Sequence, residues 1–306
     1  MNFLYRLYFK IPGFGRFGLI GKAFDRALDI FIFRPLLERI APNQLKKEAR
    51  SHQQNRIVIP KNPKLIVSLT SFPARINEVW ISIECLLRQT VKPDELIIWL
   101  AESQFPDHHL PSSILNLQKR GLKINFCEDI RSHKKYYYSM LSFPQDLVIT
   151  FDDDLYYDKY AIENLVNLHK KFPGCIVSNR AHKMRFDQNG KLLPYAKWHH
   201  NVTTNEPSLN LLATGGAGTL YPPSLLHADV FDKKTFLELS PNSDDVWLKI
   251  MSYRKKTKIV TNSRYNKDFI TVGFTQRESL VSSNTGLGMK DVQLSNLISH
   301  YDVSFK

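Results

Sequence analysis

Over residues 56–306, short apolar runs alternate with longer stretches of helical periodicity. Residues 64–70 (KLIVSLT), 95–101 (ELIIWLA), 122–128 (LKINFCE) and 146–151 (DLVITF) are compact runs rich in β-branched and aromatic side chains, and read as buried strands. Between the first two, Ile76, Val79, Trp80, Ile83, Leu86 and Leu87 recur at helical spacing over residues 76–89. Residues 112–120 predict a further helix, closed by Gly121. Strands that alternate with helices through short connections predict a mostly parallel, doubly wound sheet with right-handed crossovers. In such sheets the ligand crevice lies beyond the carboxyl ends of the strands.

Residues 1–55 follow a different pattern. Leu19, Ile20, Ala23, Phe24, Ala27, Leu28, Phe31, Leu36, Leu37 and Ile40 recur at roughly helical spacing with basic residues between them. Over residues 1–50, ten Lys and Arg against four Asp and Glu leave a charge of +6. A basic amphipathic helix with Phe and Leu on its apolar side predicts an in-plane anchor on an anionic membrane surface. The competing reading is a helix that packs on the protein's own core with its basic residues solvated.

Composition narrows the field without choosing within it. A chain of 306 residues with 43% hydrophobic and 12% aromatic content can build a sizeable core. The net charge of +13 draws it toward anionic partners. No helix-turn-helix, zinc or RNA-recognition signature is present, so nucleic acid is not an expected partner. Cys85, Cys127 and Cys175 are too sparse for a disulfide or zinc framework and suggest a reduced, cytoplasmic chain. The longest charge-free run, residues 207–228, is broken by Gly215, Gly216, Gly218, Pro222 and Pro223, which argues against a membrane-spanning helix.

The candidate chemistry is acidic. Asp152, Asp153 and Asp154 follow the fourth predicted strand directly, and like charges that close raise one another's pKa. A divalent cation removes that cost, and Mg²⁺ or Mn²⁺ takes carboxylate and phosphate oxygens. In extended backbone Asp152 and Asp154 point one way and Asp153 the other, so the outer pair could hold a metal against a diphosphate. A second pair, Asp244 and Asp245, opens a helix capped by Ser243 or Asp244 and suits a general base. Alternatively the pair merely complements the helix N-terminus. Between the two acidic sites, residues 214–223 (TGGAGTLYPP) lack dinucleotide-fingerprint spacing; their glycines would form a tight turn or let backbone approach a bulky ligand.

Taken together, these segments resemble the bacterial GT-A-fold glycosyltransferases, the large group around family 2 that serves polysaccharide and lipooligosaccharide assembly. The resemblance runs over roughly residues 63–300. It is carried by IVSLTSFPARI (66–76), LLRQTVKPDELIIWLA (86–101), CEDIRSHKKYYY (127–138), ITFDDDLYYD (149–158), TGGAGTLYPP (214–223) and SDDVW (243–247). Two segments depart from the group: WLAES (99–103) replaces the usual Asp with Gly and Ser, and the later acidic pair is Asp-Asp rather than Glu-Asp.

The resemblance implies an α/β GT-A-type, Rossmann-like sheet, mostly parallel and mixed, flanked by helices over residues 56–306 and preceded by the amphipathic segment 1–55. It implies that Asp152 and Asp154, with Asp153 between, bind Mn²⁺ or Mg²⁺, ribose and diphosphate. Thr70, Ser71 and Arg75 would sit beside the nucleotide, Asp129 by the base, and Lys134 or Lys135 against the phosphates. Gly215 and Gly216 would floor the sugar pocket, and Asp244 or Asp245 would be the base. The expected activity is hexosyl or N-acetylhexosaminyl transfer from a nucleotide-sugar, expected to be UDP-linked, to a glycan or lipid-linked acceptor at the inner face of the cell membrane. A Mg²⁺-dependent phosphatase of the haloacid dehalogenase type wants its Asp-x-Asp early in the chain. A non-catalytic carbohydrate-binding protein leaves two carboxylate clusters unexplained.

Overall fold

The computed structural model describes residues 2–11, 14, 18–51, 62–262, 264–273 and 288–305. Arg16 and residues 52–55 lie outside them, as do the side chains of Leu19, Lys22, Glu48 and Arg50. The predicted alternation is present: β1 (Leu65–Thr70), α4 (Val79–Leu87), β2 (Glu95–Ala101), α5 (Ser112–Gln118), β3 (Leu122–Cys127), α6 (Lys134–Ser142), β4 (Leu147–Thr150) and α7 (Ala161–Lys171). Gly121 ends the α5 turn with a φ of 100°, a conformation open to glycine. Among the described residues, three helical stretches precede β1: α1 (Asn2–Lys10), α2 (Gly18–Leu28) and α3 (Arg34–Ser51), the last two joined by a π-helical turn, Asp29–Phe33.

The second half adds β5 (Ile176–Ser178), β6 (Ala181–Lys183), β7 (Leu211–Ala213), β8 (Thr219–Tyr221), α8 (Lys233–Leu239), α9 (Asp244–Arg254), β9 (Ile259–Thr261) and α10 (Met289–Tyr301). Seven strands form one sheet in the order β3-β2-β1-β4-β8-β5-β9, while β6 and β7 pair separately. All partners in the sheet are parallel except β8, which runs antiparallel between β4 and β5. The sequence pattern does not announce β8, because three residues among glycines and prolines carry almost no periodicity.

Period-two alternation along the strands creates two cores. Leu65, Val67 and Leu69 of β1, Leu96, Ile98 and Leu100 of β2, and Ile149 of β4 face one side, against α4, α5 and α7. Ile66, Ile97, Trp99 and Val148 face the other, where Tyr136 and Met140 of α6, Trp247 of α9 and Leu297 of α10 cover them. On that second side Trp99 Nε1 donates to Ser139 Oγ at 2.8 Å and Ser139 Oγ donates to Ser68 Oγ at 2.7 Å, fixing the middle of α6 over β1.

The amino-terminal helices belong to the first layer. Tyr5, Tyr8, Phe33, Leu37, Ala41 and Leu45 are buried in the same cluster as the strands. Tyr5 Oη donates to the Tyr156 carbonyl at 2.5 Å and Tyr8 Oη to the Asp268 carbonyl at 2.9 Å. One face of the segment therefore packs on the protein's own core. All three cysteines are buried and outside any disulfide, and no helix among the described residues is long and apolar enough to cross a membrane.

One buried charge carries a consequence for stability. Lys249 on α9 is buried, donates to the Leu209 carbonyl, and has its pKa pushed down to about 7 by burial. Above that value the folded state holds Lys249 neutral, whereas the unfolded chain keeps it protonated up to its ordinary 10.5. The unfolded state thus binds the extra proton, and this residue makes stability rise with pH from about 7, by at most ~1.4 kcal/mol per pH unit. Urea titrations at pH 7, 8 and 9 should show Lys249→Met lacking that rise; parallel curves for the two proteins would contradict it.

Candidate active site

Strands β1 to β4 all point their carboxyl ends at one rim, and the predicted residues gather there. Directly after β4 the chain presents Asp152, Asp153 and Asp154. Asp153 turns under the rim, where Ser71 Oγ donates to its Oδ2 at 2.5 Å and Arg75 Nη1 to its Oδ1 at 2.8 Å. Arg75, at the end of the short turn Pro73–Arg75, also lies 3.0 Å from Asp154 Oδ2. Ser82 on α4 donates to the Asp153 carbonyl at 2.9 Å, and Val272 N to the Asp154 carbonyl at 2.7 Å. These anchors bend the chain at Asp153, so the strand-like alternation expected for residues 152–154 stops there. Asp154 shares Arg75 with Asp153. Ser71 and Arg75 are consequently buried supports of the acidic loop.

Asp152 is the most exposed of the three. Its side chain is 36% exposed, and Lys135 Nζ donates to its Oδ1 at 2.6 Å. The same ammonium lies 3.2 Å from Asp244 Oδ2, an ion pair without hydrogen-bond alignment. Lys135 therefore joins the two acidic clusters that the sequence places far apart. Asp244 is buried in the first turn of α9, while the neighbouring Asp245 accepts a hydrogen bond from Gly215 N at 2.8 Å through Oδ1. Lys290 at the start of α10 lies 4.0 Å from Asp245 Oδ2.

The glycines sit between the clusters because nothing larger fits. A Cβ on Gly216 would run into the Asp152 carboxylate. Gly218 has a φ of 101°, and a Cβ there would come within 2.6 Å of the Phe151 ring. Tyr157 ties this floor to the acidic loop: its hydroxyl donates to the Gly216 carbonyl at 2.7 Å and accepts from Asp152 N at 2.9 Å. The antiparallel insertion of β8 beside β4 is what delivers the glycine turn to Asp152.

A second group marks the β3 end of the rim. Asp129 accepts from Lys134 Nζ and from Gln104 Nε2, the latter at 2.9 Å. Lys134 and Lys135 are successive residues in the first turn of a helix and so project about 100° apart. Lys134 goes to Asp129 and Lys135 to the centre. Thr70 closes the end of β1, donating to the Trp99 carbonyl at 2.8 Å.

Electrostatics sharpen the roles. Burial works to raise the Asp152 carboxyl, but Lys135 outweighs it and holds the group below the ordinary aspartate value. Burial, reinforced by Asp244, pushes Asp245 above that value despite Lys290 and Lys135 nearby. Burial also works to discharge Lys135, yet Asp152, Asp244 and Asp245 together hold its pKa well above the ordinary lysine value. The site therefore contains one firmly ionised carboxylate, one more basic carboxylate and a fixed ammonium.

The described residues contain no group of three or more His, Cys, Asp or Glu that could hold a metal ion. An all-protein cage is thus absent among them. Asp152 Oδ1 pairs with Lys135 while Oδ2 rests against Gly216, and Asp154 shares Arg75 with Asp153. Two carboxylates of this kind fit Mg²⁺ or Mn²⁺ only where substrate phosphates and water complete the coordination, which is common for Mg²⁺ sites.

Sequence reasoning missed Tyr157 and Lys290. Tyr157 looks like an ordinary core aromatic in the run of residues 155–157, and its hydroxyl role appears only once β8 is in place. Lys290 stands alone in sequence, far from both clusters, and no local pattern flags it.

No protein-family profile matches the sequence, and no curated protein matches it. Solved structures resemble it at low identity. S. aureus TarS 1-349 in complex with UDP overlays with a TM-score of 0.42 at 14% identity, covering 67% of this chain and 59% of that one. Mannosyltransferase PcManGT from Pyrobaculum calidifontis, in complex with GDP-Man and Mn²⁺, gives 0.47 at 11%, covering 90% and 75%. CMP:2-keto-3-deoxy-manno-octonic acid synthetase complexed with CTP gives 0.39 at 12%, covering 65% and 88%. At these overlaps it is the crevice's own groups that carry the functional reading.

Removing Lys135 should leave Asp152 and Asp244 facing each other uncompensated. Lys135→Met is expected to lose roughly 2–3 kcal/mol at pH 7, below the usual 3–5 for a fully buried pair because Asp152 is partly solvated. Without the ammonium Asp152 binds its proton more readily, so the deficit should shrink as pH falls toward 4.5. Urea unfolding of both proteins at the two pH values measures this; a deficit that grows on acidification would contradict the arrangement.

Proposed function

We propose that the chain is a glycosyltransferase that moves a hexosyl or N-acetylhexosaminyl group from a nucleotide-sugar, in the first instance a UDP-sugar, onto a glycan or lipid-linked acceptor. Its expected setting is cell-surface polysaccharide assembly at the cytoplasmic face of the membrane. The observation that carries the reading is Lys135, whose ammonium bridges Asp152 after β4 and Asp244 at the start of α9 and so makes one crevice of two acidic clusters.

In this reading the nucleotide lies along the rim, with its base toward Asp129 and Lys134 and its ribose near Thr70. The diphosphate reaches the Asp152 end, where Lys135 supplies a fixed positive charge to the leaving group. Asp152 and Asp154 would hold Mn²⁺ or Mg²⁺, which supplies Lewis-acid stabilisation of the diphosphate when bound. The sugar lies against the Gly215–Gly216 turn, beside Asp152 and Asp245. The acceptor hydroxyl attacks the anomeric carbon and its proton passes to Asp245. The new C–O bond forms as the bond to the diphosphate breaks, and the electron pair leaves on the phosphate oxygen. Asp245 suits the base role: its raised pKa makes it the more basic carboxylate, and Gly215 N holds its Oδ1 in place. Asp244, paired with Lys135, positions the ammonium.

Donor calorimetry and turnover separate these roles. Asp245→Asn keeps an acceptor for Gly215 N, so it should bind UDP-sugars as the unmodified protein does yet lose about 10²–10⁴-fold in turnover. Asp154→Ala should lose the increment of donor affinity that Mn²⁺ provides; an unchanged increment would count against Asp154 as a ligand. The base must be ionised to act, and its pKa is raised, so kcat/KM should fall on acidification with an apparent pKa above the ordinary 3.8. An acid limb at or below that value would remove Asp245 from the role.

A further inference from the structure

The amino-terminal helices present a surface that their packing leaves unused. Phe33, Leu37, Ala41 and Leu45 form the buried stripe of the segment. Beside it, Ile20, Phe24, Phe31, Ile32, Leu36 and Ile40 are exposed, with Ile20 at 84% and Phe31 at 78%. Isolated exposed apolar residues need no explanation, but a run of them on one helical segment marks an interaction surface.

The π-helical turn aligns this surface. At about 100° per residue, an unbroken helix would place Leu36 and Ile40 roughly 140–180° from the face of Ile20, Phe24 and Phe31. The wider turn at Asp29–Phe33 takes about 90° out of that offset, bringing the two groups toward one stripe.

Charge around the stripe has one sign. Arg6, Lys10, Arg26, Arg39, Lys46 and Lys47 are exposed, and among the described residues of the segment every exposed charge is cationic. The carboxylates are turned inward: Asp25 accepts from Phe14 N at 2.8 Å, Asp29 pairs with Arg34 at 2.7 Å, and Glu38 packs against Gly273. A second copy of the chain meeting this face symmetrically would set these cations against themselves. An anionic lipid surface meets both features, taking the apolar stripe into the acyl boundary and the basic residues among headgroups.

We infer that this face docks the protein on an anionic lipid bilayer, with Ile20, Phe24 and Phe31 inserted and the exposed Lys and Arg on the headgroups. The contact would also orient the crevice, since Tyr5 on the same segment bonds the Tyr156 carbonyl next to Tyr157, and Tyr8 bonds the Asp268 carbonyl. The inference is independent of the transferase reading and can fail without it.

The test uses the full chain and phosphatidylcholine vesicles with or without phosphatidylglycerol, read by co-sedimentation. Binding should require phosphatidylglycerol and weaken with salt. Ile20→Ser with Phe31→Ser should weaken it by about tenfold or more, since inserted apolar area sets much of the affinity. Arg26→Gln with Arg39→Gln, which leaves the apolar stripe intact, should weaken binding to the anionic vesicles by a similar factor, and unchanged thermal unfolding shows that each variant is folded. Absence of wild-type binding to anionic vesicles, or wild-type-like binding by both double variants, overturns the inference. Self-association in vesicle-free buffer that the Ile20→Ser, Phe31→Ser protein loses would assign the face to a second copy and also overturn it.

Discussion

A single buried ammonium holds the proposed site together. Lys135 lies between Asp152 and Asp244, and its ammonium offsets the cost of holding two acidic side chains close together there. The arrangement forces three elements to meet: the carboxyl end of β4, the first turn of α6 and the first turn of α9. Each is fixed by its own packing: β4 by the sheet, α6 by the Trp99–Ser139–Ser68 chain, and α9 by buried Trp247. The lysine thus ties the two halves of the fold together at the rim.

Around that centre the charges are layered. Asp153, Ser71 and Arg75 form a buried base that holds the acidic loop from below, while Asp152 and Asp245 are more exposed. The polar residues beneath bond to one another, which holds the loop in place. A Cβ at Gly216 would take the volume of the Asp152 carboxylate, and one at Gly215 would press on Thr150 and Asp245.

Much of this was legible in the sequence, and the failures have physical causes. The β-branched runs give β1 to β4 to within two residues at either end, because buried parallel strands are continuous apolar segments. The acidic clusters and the glycine turn stand out as patterns that a purely structural reading explains poorly. Direction along the acidic loop did not follow, since alternation holds only while the backbone stays extended and Ser82 and Val272 bend it at Asp153–Asp154. The choice between Lys134 and Lys135 depends on helix phase, and Tyr157 on the placement of β8; neither is local information. The amino-terminal segment packs one stripe on the core, as the competing reading expects, while the adjacent stripe stays exposed among basic residues.

The most direct test of the central claim is a crystal structure with a UDP-sugar analogue and Mn²⁺, locating the ion by its anomalous signal. The account predicts the diphosphate beside Lys135 and Asp152, the ion at the acidic loop, and the sugar over Gly215 and Gly216 with its anomeric carbon facing Asp245. A nucleotide bound away from the β1–β4 rim, or a sugar turned from Asp245 with the diphosphate out of reach of Lys135, would contradict it.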